Sequence, residues 1–227
     1  MVRILLALTS NDKLGEHNEQ TGWYLPELAH PYHVWHGVAE MVFASPKGGV
    51  APLDKDSIEA SKEDPVCTKL MAEEEFKQSY SNTKRFSELN AKDFDAVFVV
   101  GGFGTMWDLP DDKDLQRLIR DVYEKGGVVS AVCHGPCAFT EVKMSDGSFL
   151  VNGRRLTAFT DDEERAVQRF EKVPFTIEQR FMERGAVYTK RAPWSSHVEV
   201  DGRIITGQNP QSATGCAAAV FAALNGA

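Results

Sequence analysis

The chain has 227 residues, 42% hydrophobic and 26% charged, a globular balance and long enough for one large α/β domain. Its formal net charge is −8 and no run of Lys or Arg exceeds two residues, so it lacks the basic stripe that nucleic-acid binding requires. The apolar runs are of strand length and the opening MVRILLALTS carries no signal pattern, which argues against a membrane span and for a cytoplasmic protein. There Cys67, Cys133, Cys137 and Cys216 would stay as free thiols.

Taken in order, Val2 to Thr9 is a continuous apolar run, the pattern of a central strand covered on both faces. A polar loop, Ser10 to Gln20, follows. Then TGWYLPELAHPYHVWHG places Trp23, Leu28, Val34, Trp35 and Val38 in a helical element, with Pro26 and Pro31 expected to disturb it. Glu27 stands inside that element, a carboxylate in aromatic surroundings. Ala39 to Ser45 is the next strand. Residues 50–92 are polar, with helical stretches at Val66 to Phe76 and around Phe86 to Leu89. They read as an excursion over the sheet edge, with Glu73, Glu74 and Glu75 on a solvated face.

Asp95 to Val100 predicts a buried strand running straight into Gly101, Gly102, Phe103 and Gly104. Leu115, Leu118, Ile119, Val122 and Tyr123 follow at amphipathic helical spacing, closed by Gly126 and Gly127. A strand rich in β-branched residues (Val128, Val129, Val132) then leads to Cys133, His134 and Gly135, with Pro136 opening a new helix. Beyond a turn at Ser145 to Gly147 lie a strand-like stretch, Phe149 to Phe159, and the acids Asp161, Asp162, Glu163 and Glu164. A helix at Thr176 to Glu183, a strand at Ala186 to Lys190, and a hairpin turning at Asp201 and Gly202 complete the middle of the chain. The last helix is expected to be capped by Asn209, with Pro210 at its first position. Strands alternating with helices predict a single α/β domain, residues 1–227, built on a mostly parallel sheet.

In such a sheet, ligands sit beyond the carboxyl ends of the strands. A cysteine between a buried strand and a helix occupies a sharp turn of the kind known as a nucleophile elbow, and helix amides there favour its thiolate. Gly101, Gly102 and His134 are placed to offer N–H groups to an oxyanion. GGFGT lacks the spacing of a phosphate-cradling loop. Cys137 reads as core packing of the elbow helix, and Trp194 either walls the pocket or packs. His17, His30, His33, His36 and His197 do not form a metal-ligand spacing, and the His33/His36 pair would need further ligands, so no metal or cofactor is expected.

These motifs resemble the ThiJ/PfpI superfamily of class I glutamine amidotransferase-like proteins. They are most similar to its glyoxalase III branch, in LLALTS, Glu27 to Pro31, GGVVSAVCHGP, Thr157 to Asp161, Pro193-Trp194 and Asp201 to Ala213. The resemblance implies a flavodoxin-like three-layer sandwich, a homodimer, and a glutathione-independent conversion of small 2-oxoaldehydes to 2-hydroxy acids. It also implies that Cys133 is the nucleophile, His134 the adjacent base, Glu27 the carboxyl at the sulfur, and Glu164 the third acid. Asp161 or Glu163 remains an alternative partner for His134, and the whole cluster also reads as charge at a helix N-terminus. Glu27 beside a thiolate is expected to hold a proton, because like charges close together raise one pKa. Deglycation of methylglyoxal adducts, and a stress holdase or peroxide sensor, are the alternative functions.

Overall fold

The computed structural model describes residues 1–17 and 19–226, so residue 18 of the polar loop lies outside the described residues. Seven strands form one sheet: β1 (Val2–Ala7), β2 (Ala39–Ser45), β3 (Lys84–Arg85), β4 (Ala96–Val99), β5 (Val128–Val132), β8 (Val198–Asp201) and β9 (Ile204–Gly207). Their order is β3-β2-β1-β4-β5-β9-β8, parallel throughout except for the β8–β9 hairpin. Two further short strands, β6 (Arg155–Leu156) and β7 (Val187–Tyr188), pair only with each other.

Side chains alternate across each strand, and the two faces build separate cores. Ile4, Leu6, Phe98, Val132 and Ile205 pack on one side, with Leu28 and Trp35 of α1 (Leu25–Trp35) and Val220 of the last helix, α9 (Ala213–Leu224). Leu5, Val97, Val99, Val129 and Ile204 face the other side, against Leu118, Ile119 and Val122 of α6 (Lys113–Glu124). The result is the flavodoxin-like three-layer α/β fold. The excursion at 50–92 holds α2 (Lys55–Ala60), α3 (Pro65–Ala72) and α4 (Glu74–Ser81) and returns edge strand β3 to the sheet. The described residues contain no helix long and apolar enough to cross a membrane.

Pro26 and Pro31 do not break α1. Pro26 falls in the first turn, where its missing N–H costs nothing. Pro31 removes the N–H that would reach the Glu27 carbonyl, yet the helix continues, held by burial of Leu28, Tyr32 and Trp35 and by the Trp35 indole donating to Ala217 (3.1 Å). Two other expectations are corrected. Phe149 to Phe159 contributes only β6, because the segment folds around turns and lies off the main sheet. Asn209 does not cap through its side chain; it donates instead to Glu163 (2.9 Å) and Ser195 (2.8 Å), and a short 3-10 turn, Pro210–Ser212, precedes α9.

Candidate active site

Strand order reverses between β1 and β4, and three chain segments leave the sheet around that crevice, which is where ligands bind in open α/β folds. The loop after β1 leads to Glu27, β4 leads to Gly101 and Gly102, and β5 leads to Cys133.

Cys133 takes a φ of +60°, a left-handed backbone that costs a residue with a side chain roughly 1–2 kcal/mol. Two hydrogen bonds hold it there: its N–H donates to Gly207 at the end of β9 (2.9 Å), and its carbonyl accepts from Phe159 (2.8 Å). This is the strained turn of a nucleophile elbow. Beyond it the chain makes one five-residue 3-10 stretch, Gly135–Phe139, not the α-helix that Pro136 led us to expect. So short a turn adds little dipole. Burial, and then the neighbouring Glu27, push the Cys133 thiol well above its ordinary range, and the His134 N–H opposes them only weakly. Burial and the neighbouring carboxyl thus work against the thiolate that the elbow motif favours.

The His134 ring packs against both Phe103 (centroids 4.1 Å apart) and Phe159 (4.5 Å), which meet each other edge-on at 6.2 Å. Its Nδ1 is 3.3 Å from Cys133 Sγ and its Nε2 is 2.8 Å from Glu164 Oε1, with all three residues buried. A carboxylate only accepts, so Nε2 carries the hydrogen and Nδ1 presents a lone pair to the sulfur.

Glu27 is fully buried. Neither of its carboxyl oxygens makes a well-formed hydrogen bond among the described residues. Burial raises the carboxyl well above the usual range, outweighing the Cys133 thiol and the Gly101 N–H, which favour the anion. Thiol and carboxyl are therefore both reluctant to ionise. Gly101 makes room for Glu27: a Cβ there would lie 2.3 Å from Glu27 Oε2 and 2.5 Å from the Val132 carbonyl. Gly102, at φ +105°, passes so close to Gly22 that a Cβ would meet its carbonyl at 2.3 Å. Neither the Gly102 nor the His134 N–H donates to a backbone carbonyl among the described residues.

The acidic cluster resolves into distinct positions. It forms α7 (Asp161–Ala166), capped by Thr160 in a reciprocal capping box with Glu163. Successive residues of a helix face different ways. Glu164 turns to His134, whereas the fully buried Glu163 accepts from the Thr160 N–H (3.0 Å) and hydroxyl (2.9 Å), the Trp194 N–H (2.9 Å), Gln208 (3.2 Å) and Asn209 (2.9 Å). Asp161 meets Gln179 instead. Neither is a partner of His134, so those two alternatives are corrected.

Trp194, at φ +65° and 43% exposed, packs on Phe159. With Tyr24 and Pro26 it lines a cavity of about 560 Å³. Cys133 does not line that cavity and is only 4% exposed. Sequence reasoning overlooked the packing of Phe103 and Phe159 on the His134 ring and the Glu163 hub. An aromatic flanking each motif was the one available signal for that packing.

A profile of the DJ-1/PfpI family matches residues 39–223. The chain belongs to this family. Within it, the chain is similar to Candida albicans glyoxalase 3, 35% identical over 98% of both chains; the solved glyoxalase III structure from that organism superposes with a TM-score of 0.87 over 98% of this chain and 97% of the other. It is 34% identical to the glutathione-independent glyoxalase HSP31 of Saccharomyces cerevisiae, over 93% of each chain. The Francisella tularensis rapid encystment protein of 24 kDa superposes with a TM-score of 0.94 at 37% identity, over 99% of both chains. Family membership bears out the resemblance read from the sequence.

Proposed function

We propose that this protein is a glutathione-independent glyoxalase that converts methylglyoxal and related 2-oxoaldehydes to 2-hydroxy acids, with D-lactate the product from methylglyoxal. The observation that carries the reading is the buried chain Cys133–His134–Glu164 with the buried Glu27, whose carboxyl resists ionisation, beside the sulfur, in a relative of named glyoxalases.

In this reading the Cys133 sulfur attacks the aldehyde carbon, forming the S–C bond, and the thiol proton passes by way of His134 or Glu27 to the aldehyde oxygen to give a hemithioacetal. Glu27 or His134 removes the proton from that carbon while the ketone oxygen is protonated, giving an enediol. Return of a proton to the second carbon, and loss of one from the first oxygen, produce a thioester of the 2-hydroxy acid. Water cleaves it, releasing the acid and restoring the thiol. Gly102, with Gly101 shaping the turn, and the His134 amide supply N–H groups to the oxyanion, and Trp194 closes the substrate side. Nothing is oxidised or reduced overall, and no cofactor takes part.

Residues 1–227 act in this reading as one domain of a cytoplasmic homodimer, for which four buried free cysteines are supporting chemistry. Purified protein incubated with methylglyoxal, without glutathione, is expected to accumulate D-lactate, read with a D-specific lactate dehydrogenase. Absence of lactate while methylglyoxal persists would overturn the assignment. Light scattering reads the oligomeric state, with a mass of one chain (25.2 kDa) counting against the dimer.

A further inference from the structure

We propose that His30, Asp64 and Cys67 form a zinc-binding site that ties α1 to α3 at the rim of the cavity beside Trp194. His30 lies on α1 and is distant in sequence from Asp64 and Cys67, which sit together at the start of α3, and the packing of the two helices brings the three together. His30 sits one turn after Glu27 on α1. Asp64 caps α3: its Oδ1 accepts from the Val66 and Cys67 N–H groups (2.9 and 3.2 Å), which leaves Oδ2 free to meet His30 Nε2 at 2.7 Å. Cys67 follows in the first turn, buried at 1% exposure. The imidazole nitrogen, carboxylate oxygen and thiol sulfur all lie within 4.8 Å of one another.

Zinc bonds such atoms at about 2.0–2.3 Å, so tetrahedral ligands stand somewhat under 4 Å apart, and small side-chain rotations complete the cage. A sulfur and an imidazole together select zinc over magnesium or calcium, which require oxygen ligands. Three protein ligands leave a fourth position. His30 and Asp64 are about a quarter exposed, at 25% and 26%, and both line the cavity shared with Tyr24, Pro26 and Trp194. The open position therefore faces that cavity and takes water. On binding, the hydrogen that His30 Nε2 shares with Asp64 is given up, the imidazole keeping its one hydrogen on Nδ1. The Cys67 proton leaves to solvent, and no redox change occurs. The ion lies outside the Cys133–His134–Glu164 chain, so it holds α1, and with it Glu27, without entering the reaction.

The test is titration of the metal-free full chain with Zn²⁺, read by calorimetry, and with Co²⁺, read by its thiolate charge-transfer absorption. We expect a single site, the Co²⁺ band, and a Tm about 5–10 °C higher with zinc 100-fold above Kd. Cys67→Ala is expected to abolish the band and weaken binding by at least about 10–100-fold, while Cys133→Ala binds as the unaltered protein does. His30→Gln provides the same comparison should Cys67→Ala not fold. No binding, binding unaffected by both Cys67→Ala and His30→Gln, or binding lost in Cys133→Ala would overturn the site.

Discussion

Cys133 and Glu27 share one predicament: burial makes each hard to ionise, and Glu27 pushes the thiol further up, while the thiol's hydrogen bond only partly offsets the burial of Glu27. The proton between them cannot be dispensed with. If the sulfur attacks as proposed, Cys133→Ala removes lactate formation while leaving the circular dichroism spectrum intact; turnover in that variant would end the covalent scheme. Glu27→Gln keeps the shape of the carboxyl but cannot cycle a proton, so kcat is expected to fall about 10²–10⁴-fold. The same substitution has a pH signature in stability. Because Glu27 is harder to ionise folded than unfolded, its contribution is complete below the ordinary carboxyl range and is lost as pH rises towards its folded pKa. Glu27→Gln removes that loss. Its stability relative to the unaltered protein should climb by about 1 kcal/mol per pH unit above roughly pH 4.5. Denaturant titrations at pH 5, 6 and 7 check this, and parallel pH profiles would show that Glu27 is not buried neutral.

At the scale of the element, α7 does two jobs with consecutive residues. Glu164 orients His134, and Glu163 gathers the helix cap, the Trp194 loop and the approach to α9 onto one carboxylate. Glu164→Gln is expected to cut kcat by about 10²-fold or more, since neither Asp161 nor Glu163 is free to take its place. Glu163→Gln swaps one accepting oxygen for an NH₂ group and strands buried donors at about 1–3 kcal/mol each. Each stranded donor corresponds to a Tm lower by about 2–12 °C, measurable by calorimetry. An unchanged Tm would mean that the donors find other partners. The two variants therefore separate chemistry from scaffold within one turn of helix.

Across the whole molecule, the site is a property of sheet topology. Glu27, Gly101 and Cys133 are far apart in sequence and meet because β1, β4 and β5 are parallel neighbours ending at the same edge. The proposed reaction needs no Lewis acid, and the proposed zinc ligands stand apart from it. Dialysis against a strong chelator should leave the rate of lactate formation unchanged at temperatures well below unfolding; loss of rate restored by zinc would place a metal in the chemistry.

The sequence by itself determined the strands of the sheet other than the two-residue edge strand β3, the amphipathic α6 and the elbow motif, because these are written in local periodicity and in residues such as Cys133, Gly135 and Pro136. It also marked Glu27, His134 and Glu164, through motifs carried by a family. The tertiary structure alone decided which acid meets His134, since Glu163 and Glu164 are indistinguishable in sequence and differ only in the direction a helix points them. It also decided the balance of forces on the thiol. A cysteine at a strand-to-helix turn reads as a thiolate, but burial and a neighbouring carboxyl outweigh a five-residue 3-10 turn, and both are long-range facts. The persistence of α1 through Pro31 has the same cause: contacts with distant parts of the chain override local propensity.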